Sequence, residues 1–258
     1  MNVKHFAAAI KIGLLVLPLT LAHATAAQAA EIKVLCSTAL KTVMQELVPQ
    51  FERATGHKVV VEYGVSAAMQ RQVEAGAQFD AIFLTVKQLD ALVQEGKIAP
   101  GTRTAIARSG MAIAIHAGAA KPDIGTVDAL KRALLAAKSI AYAKEGAAGV
   151  YFLALAKRLG IEGKLKLKGV DSGDAVGEAV AGGTAEFGIL PVSEILPVKG
   201  AALLGEFPRE VEEYAVSVGG VSATAKQAGA AKELIRFITA PAAVPVMRKK
   251  GMEPEKAR

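Results

Sequence analysis

Five short segments of this chain could take part in binding chemistry. They are Cys36-Ser37-Thr38-Ala39, Gly64-Val65-Ser66-Ala67-Ala68, Lys144-Glu145-Gly146-Ala147-Ala148-Gly149, Asp171-Ser172-Gly173-Asp174 and Pro191-Val192-Ser193. Each follows a short apolar run that reads as a strand, and most lead into a segment of helical period. The first N–H groups of a helix lack internal partners and carry partial positive charge. Small side chains let a ligand oxygen approach them, and Ser or Thr adds a hydroxyl donor. Several such ends facing one another could hold an oxyanion with no cationic side chain. Taken singly, Ser37, Thr38, Ser66 and Ser172 are ordinary helix caps; their recurrence at four or five strand ends is what points to a ligand.

Other chemistry finds little support. Cys36 has no spacing that ties it to His57 or His116 as a thiol–imidazole pair, and a lone cysteine is usually a small buried apolar residue. There is no G-x-S-x-G elbow, no H-E-x-x-H and no glycine-rich phosphate loop. The histidines and the cysteine are not clustered for a metal, and Asp171 and Asp174 read as helix-capping or solvated acids. No catalytic residue, metal or cofactor is expected.

The elements that must position these loops alternate. The pattern predicts strands over Ile32–Leu35, Lys58–Tyr63, Phe79–Leu84, Gly110–His116, Ser139–Ala143, Leu165–Val170, Phe187–Leu190 and Tyr214–Val218. Helices are predicted over Leu40–Ala54, Ala67–Glu74, Lys87–Glu95, Leu130–Ala137, Gly149–Leu159, Ala175–Ala181, Ala228–Thr239 and from Pro241 to about Lys249. The order β-α-β-α-β implies α/β architecture with parallel sheets. One doubly wound sheet of about ten strands would be large, so two lobes of about five strands each are expected. Lobe I would comprise 30–108 and 215–258, and lobe II 109–214, with the chain crossing near Ala105–Ala114 and Pro208–Val216. Ligands in such sheets bind outside the carboxyl ends of the strands, where the five segments fall.

The chain begins as exported proteins do. Lys4 and Lys11 precede the apolar stretch Ile12–Leu21, and Ala27-Gln28-Ala29 supplies small residues for cleavage, so 1–29 reads as a signal peptide. The apolar stretch is shorter than the roughly 20 residues that span a bilayer, and no later segment is longer. A periplasmic protein of about 229 residues, not inserted in the membrane, is expected after processing. The formal charge of +7 falls to about +5 without Lys4 and Lys11. The alternation Lys164-Leu165-Lys166-Leu167-Lys168 reads as a strand with one solvated face. Trp is absent and aromatics are few, so no nucleic-acid partner is expected.

Particular residues then carry a resemblance. Ile32-Lys33-Val34 enters a small-residue loop followed by Leu40–Met44, Phe51, Gly56 and Tyr63–Ser66. Arg71-Gln72-Val73-Glu74-Ala75-Gly76-Ala77, Phe79-Asp80-Ala81-Ile82-Phe83, Ala148-Gly149-Val150-Tyr151 and Glu186-Phe187-Gly188-Ile189 come next. In this order the chain resembles the periplasmic molybdate-binding proteins of ABC transporters. The resemblance implies two Rossmann-like lobes joined by two crossover strands, the type II binding-protein fold. It implies a small oxyanion such as molybdate or tungstate held in the cleft, a membrane permease as partner, and action as a monomer. The implied ligand positions are Ser37, Thr38, Ala39, Ser66, Ala148, Gly173 and Pro191. The chain departs from the family at Ala39, where a serine is usual, and at Pro191, where a tyrosine is usual. Two hydroxyl donors are therefore replaced, which leaves room for another oxyanion or a small organic acid. An exported receptor subunit for a membrane sensor has the same sequence signature.

Overall fold

The computed structural model describes residues 29–255. The expected export segment lies outside them, apart from Ala29. The chain opens with β1 (Glu31–Ser37), α1 (Lys41–Thr55), β2 (Lys58–Gly64), α2 (Ser66–Glu74), β3 (Ala81–Thr85) and α3 (Val86–Gln94). The pattern of α1 explains its placement: Val43, Met44, Leu47 and Phe51 recur on one stripe, and all are buried. Gly56 ends the helix with φ +75, and its N–H donates to the Glu52 carbonyl. In β3 the residues Ala81–Leu84 are all buried, as expected of a central strand covered on both faces.

A long strand, β4 (Thr104–His116), leads to α4 (Val127–Ala136), β5 (Ile140–Ala143), α5 (Ala147–Arg158), β6 (Leu167–Val170), α6 (Gly173–Ala181) and β7 (Phe187–Pro191). Then come the one-turn α7 (Val192–Ile195), β8 (Ala201–Glu206), β9 (Tyr214–Val221), α8 (Ala228–Thr239), α9 (Val244–Lys249) and β10 (Glu253–Pro254).

The hydrogen-bonded strand order is β2-β1-β3-β9-β4-β7-β5-β6, with β8 and β10 also on β4. β4 belongs to both halves. Over Thr104–Gly110 it pairs with β9, and over Met111–Ile115 it pairs with β7. The first half is therefore β2-β1-β3-β9-β4 and the second β8-β4-β7-β5-β6. β1 is parallel to β2 and β3, and β5 is parallel to β6 and β7, so their carboxyl ends point one way in each half. Each half has apolar clusters on both faces of its sheet. Phe51, Met44 and Leu234 belong to one face of the first half, with Leu84, Leu89 and Val218 on the other. Phe152, Leu130 and Ile189 cover one face of the second half, and Val176, Val180 and Leu190 the other.

Several boundaries differ from expectation. α5 begins at Ala147 and α6 at Gly173, each two residues before the predicted start, because small residues, Gly included, form the first turn. The lysine alternation is not one strand: Glu162–Lys164 is a 3-10 turn and β6 starts only at Leu167. α7 and β8 were not anticipated. α7 is too short to show a period, and β8 is a half-buried edge strand interrupted by Gly205.

Candidate functional site

Six parallel strand ends converge where the halves meet. Ser37, Val65 and Thr85 follow or end β1, β2 and β3, while Ala143, Gly173 and Pro191 lie at or just past the ends of β5, β6 and β7. All seven expected ligand positions, Ser37, Thr38, Ala39, Ser66, Ala148, Gly173 and Pro191, line a single inner cavity of about 30 Å³. Ser66, Thr85, Ala147 and Ala215 also line an adjoining outer chamber of about 640 Å³. The inner cavity exceeds the roughly 10–15 Å³ that one water needs, and the outer one is within the usual range for small-molecule sites.

No lysine or arginine lines the inner cavity among the described residues. Its donors are hydroxyls and first-turn amides. The Ser66 hydroxyl accepts the Thr85 N–H at 3.1 Å, which orients the oxygen and leaves its own proton for the cavity. Ser37 accepts the Ala39 N–H at 3.4 Å in the same manner. α5 and α2 have no side-chain cap, so the first-turn N–H groups of Ala147, Ala148 and Gly149, and those of Ser66 and Ala67, have no intrahelical acceptor.

Two residues escaped the sequence reading. Thr85 ends β3 one residue beyond the predicted strand, and its hydroxyl donates to Gln88. Glu194 matters more. It stands three residues after Pro191, on α7, and its carboxyl enters the inner cavity to accept the Thr38 hydroxyl at 3.1 Å. A Cβ on Gly173 would overlap Glu194 Oε2, so glycine there admits the acid beside the N-terminus of α6. Glu194 is half-buried, with its carboxyl walled in by protein and its remaining surface facing the cavity. Burial pushes its pKa up to about 7, the Thr38 hydrogen bond and Lys41 pull it down, and Asp174 raises it. The missed signal was an acid one turn past a strand end, in a segment too short for periodicity.

Thr38 thus spends its proton on Glu194 and is not a free donor. Ser193, which lies next to Pro191, is buried: its hydroxyl donates to the Ala39 carbonyl at 2.9 Å and its N–H donates to Ser109 Oγ at 3.0 Å. It cannot stand in for the tyrosine that the resemblance places at Pro191. Cys36 is fully buried below the cavity and its thiol donates to the Ser37 carbonyl; burial drives its pKa far above the usual thiol range. A thiolate nucleophile is therefore disfavoured. Asp171 pairs with Lys144 and Asp174 with Lys41, both at 2.8 Å, and no group of three or more potential metal ligands occurs among the described residues.

Two ion pairs flank the cleft and join the halves. Arg71 on α2 donates to both carboxylate oxygens of Glu145 at 3.1 and 2.7 Å. Lys41 at the start of α1 meets Asp174 on α6. Hydrogen bonding to Glu145 raises the Arg71 pKa, and Arg71 lowers that of Glu145. Both partners are solvated, and exposed pairs contribute little to stability. Arg71→Ala should leave the melting temperature unchanged within error; a drop of several degrees would show that the rim pair carries the fold.

Residues 32–253 match the family model of the bacterial extracellular solute-binding proteins. The chain belongs to that family. Curated relatives of this solute-binding chain include an aconitate isomerase from Pseudomonas sp., 28% identical over 87% of this chain and 88% of the relative. Another is the molybdate-binding protein ModA of Azotobacter vinelandii, 29% identical over 88% and 92%. Among solved structures, the periplasmic molybdate-binding protein of Azotobacter vinelandii superposes with TM-score 0.75 at 21% identity, over 87% of this chain and all of that one. The sulfate-binding protein SubI of Mycobacterium tuberculosis H37Rv gives 0.73 at 18%, over 87% of both chains. At these identities the structures establish the fold: two Rossmann-like lobes of the type II binding proteins. The chain is a divergent relative of the molybdate-binding proteins.

Proposed function

We propose that this chain is the periplasmic solute-binding component of an ABC importer and captures a small anion between its lobes. Lobe I would be 30–108 with 215–258 and lobe II 109–214, exported through the 1–29 signal and acting as a monomer that docks on a membrane permease. The observation that supports it best is the convergence of Ser37, Ser66, Ala148 and Gly173 on one cavity with no lysine or arginine lining it. Hydroxyls and first-turn amides bind anions by direct hydrogen bonds and by the helix dipole. The named relatives fit an oxyanion of the molybdate or tungstate kind, or a small organic acid.

The reading is tested by thermal shift and calorimetry with molybdate, tungstate, sulfate, phosphate and small carboxylates. A ligand bound only by the folded state adds about 2.7 kcal/mol at a hundredfold excess over its Kd. No response to any of these anions would remove the reading. Ser66→Ala should weaken the anion that does bind about tenfold, since one donor is lost and the Thr85 N–H is left unpaired, while stability changes by under about 1.5 kcal/mol. Unaltered affinity in this variant would place the ligand elsewhere.

One observation favours a second reading, catalysis. Isomerising a small unsaturated acid without a cofactor needs a group that takes and returns a proton near neutral pH. Glu194, with a pKa near 7, is the titratable side chain in the inner cavity. Incubation with aconitate and separation of its geometric isomers decides this. Turnover lost in Glu194→Gln would support an isomerase, and no interconversion would leave the binding role alone.

A further inference from the structure

A carboxylate among hydroxyls and first-turn amides competes with an anionic ligand for the same donors. Glu194 sits where an anion would: one oxygen is bound by the Thr38 hydroxyl at 3.1 Å, and the other lies against Gly173 at the first turn of α6. An ionised carboxylate only accepts hydrogen bonds, and so does a fully ionised tetrahedral oxyanion. Brought together in a cavity of about 30 Å³, the two repel at short range. The conflict is relieved when the ligand presents a proton to Glu194, or when Glu194 is itself protonated. The charged groups that bear on Glu194 are Asp174 on α6 and Lys41 at the start of α1, which pair with each other at 2.8 Å. No charged group of β4, β7 or β8, the strands packed on α7, bears on it. The burial that lifts its pKa to about 7 leaves it mostly ionised at pH 8.

The space points the same way. The inner cavity shares Ser66, Thr85, Ala147 and Ala215 with a chamber of about 640 Å³, whose walls carry Lys87 and Tyr214 together with Lys144, Glu145 and Glu213. A compact tetrahedral ion uses none of that volume. A small organic acid could place one acidic or hydroxyl end against Glu194 and the inner amides, with its body and a further carboxylate toward Lys87.

We infer that Glu194 is the specificity-determining residue of the cleft and selects a small organic acid carrying its own hydrogen-bond donor, a hydroxyl or an undissociated carboxyl, against fully ionised tetrahedral oxyanions. This rests on the reading of the cleft as an anion site. Binding of a donor-free anion at pH 8 must then draw a proton onto Glu194, whereas a hydroxy acid brings the donor with it.

The test is titration calorimetry of the mature protein and of Glu194→Gln at pH 8 with molybdate, sulfate, succinate, malate and citrate. Each is run in two buffers of different ionisation enthalpy to count protons. In the wild type, malate or citrate should bind at least about tenfold more tightly than molybdate, and molybdate should take up about one proton. In Glu194→Gln, an amide that can donate, molybdate should gain about tenfold and its proton uptake should vanish. Equal ranking in the two proteins would overturn the inference, as would tight wild-type binding of molybdate without proton uptake. Either result would leave the anion site intact. If no anion binds either protein, the underlying reading falls and takes this inference with it. Should the variant not fold, wild-type proton counts alone decide: equal uptake for malate and molybdate refutes the inference.

Discussion

Replacing Gly149 with valine should lower the melting temperature by about 6–10 °C and abolish anion binding. Gly149 is the third residue of α5, and its Cα lies so close to the end of β5 that an added Cβ would overlap the Ala143 carbonyl oxygen. The Tyr142 ring would stand only 3.1 Å away on the other side. The neighbour is backbone, which cannot rotate aside as a side chain can. Overpacking a core ordinarily costs about 1–3 kcal/mol, and a clash with backbone belongs at the upper end. For a chain of this size, about 3 kcal/mol corresponds to the stated drop. Binding fails for a related reason: the same turn offers the Ala147 and Ala148 amides to the cavity, and any shift of α5 from β5 misaims them. Circular dichroism melts and calorimetry measure both effects. Wild-type stability and affinity in Gly149→Val would mean that α5 does not seat on Ala143.

The second large effect is a pH dependence of stability that belongs to Glu194. Its folded pKa, about 7, lies above the ordinary value of 4.5. Below pH 4.5 the acid is protonated in both states and contributes nothing. As pH rises to 7, the unfolded chain releases the proton while the folded one retains it. Folding is then progressively disfavoured until the folded carboxyl ionises near pH 7. A shift of this size corresponds to at most about 3 kcal/mol, and to less insofar as part of the side chain faces the cavity rather than protein. The lowered pKa values of Glu46, beside Lys250 and Lys249, and of Glu145, beside Arg71, act in the opposite direction. The comparison with Glu194→Gln removes them, since they are common to both proteins. The variant should therefore gain on the wild type by about 5–8 °C between pH 4.5 and 7.5. Parallel melting curves across that range would show that Glu194 is solvated in the folded protein.

Much of this architecture is legible in the residues. Apolar runs such as Ala81–Leu84, bounded by helix-period segments, identify parallel strands, and Gly56 and Gly96 close helices where glycine is needed for positive φ. The five loops could be placed because binding at the carboxyl ends of parallel strands follows from topology, and the topology follows from the alternation; the individual positions within them are what the resemblance implies. What could not be read depends on contacts between distant segments. β8 is a strand because β4 offers it an edge, not because Ala201–Glu206 alternates. Nothing in the local sequence singles out Glu194; only the approach of Thr38, 156 positions earlier, shows it inside the cavity. Likewise, Ala39 and Pro191 suggested room for a bulkier ligand, but that space is shared with a side chain the local sequence did not implicate.

The shared strand β4 has a practical consequence. Because the chain leaves the first half and returns to it, β1 and the late elements α8, α9 and β10 all belong to that half. Fluorophores attached beside β1 and beside β10 would therefore ride on the same half. The exposed turn at residues 117–123 lies on the other half, just past β4. A dye inserted there and a second beside β10 would report the distance between halves, giving an optical readout of ligand capture that involves no residue of the cleft.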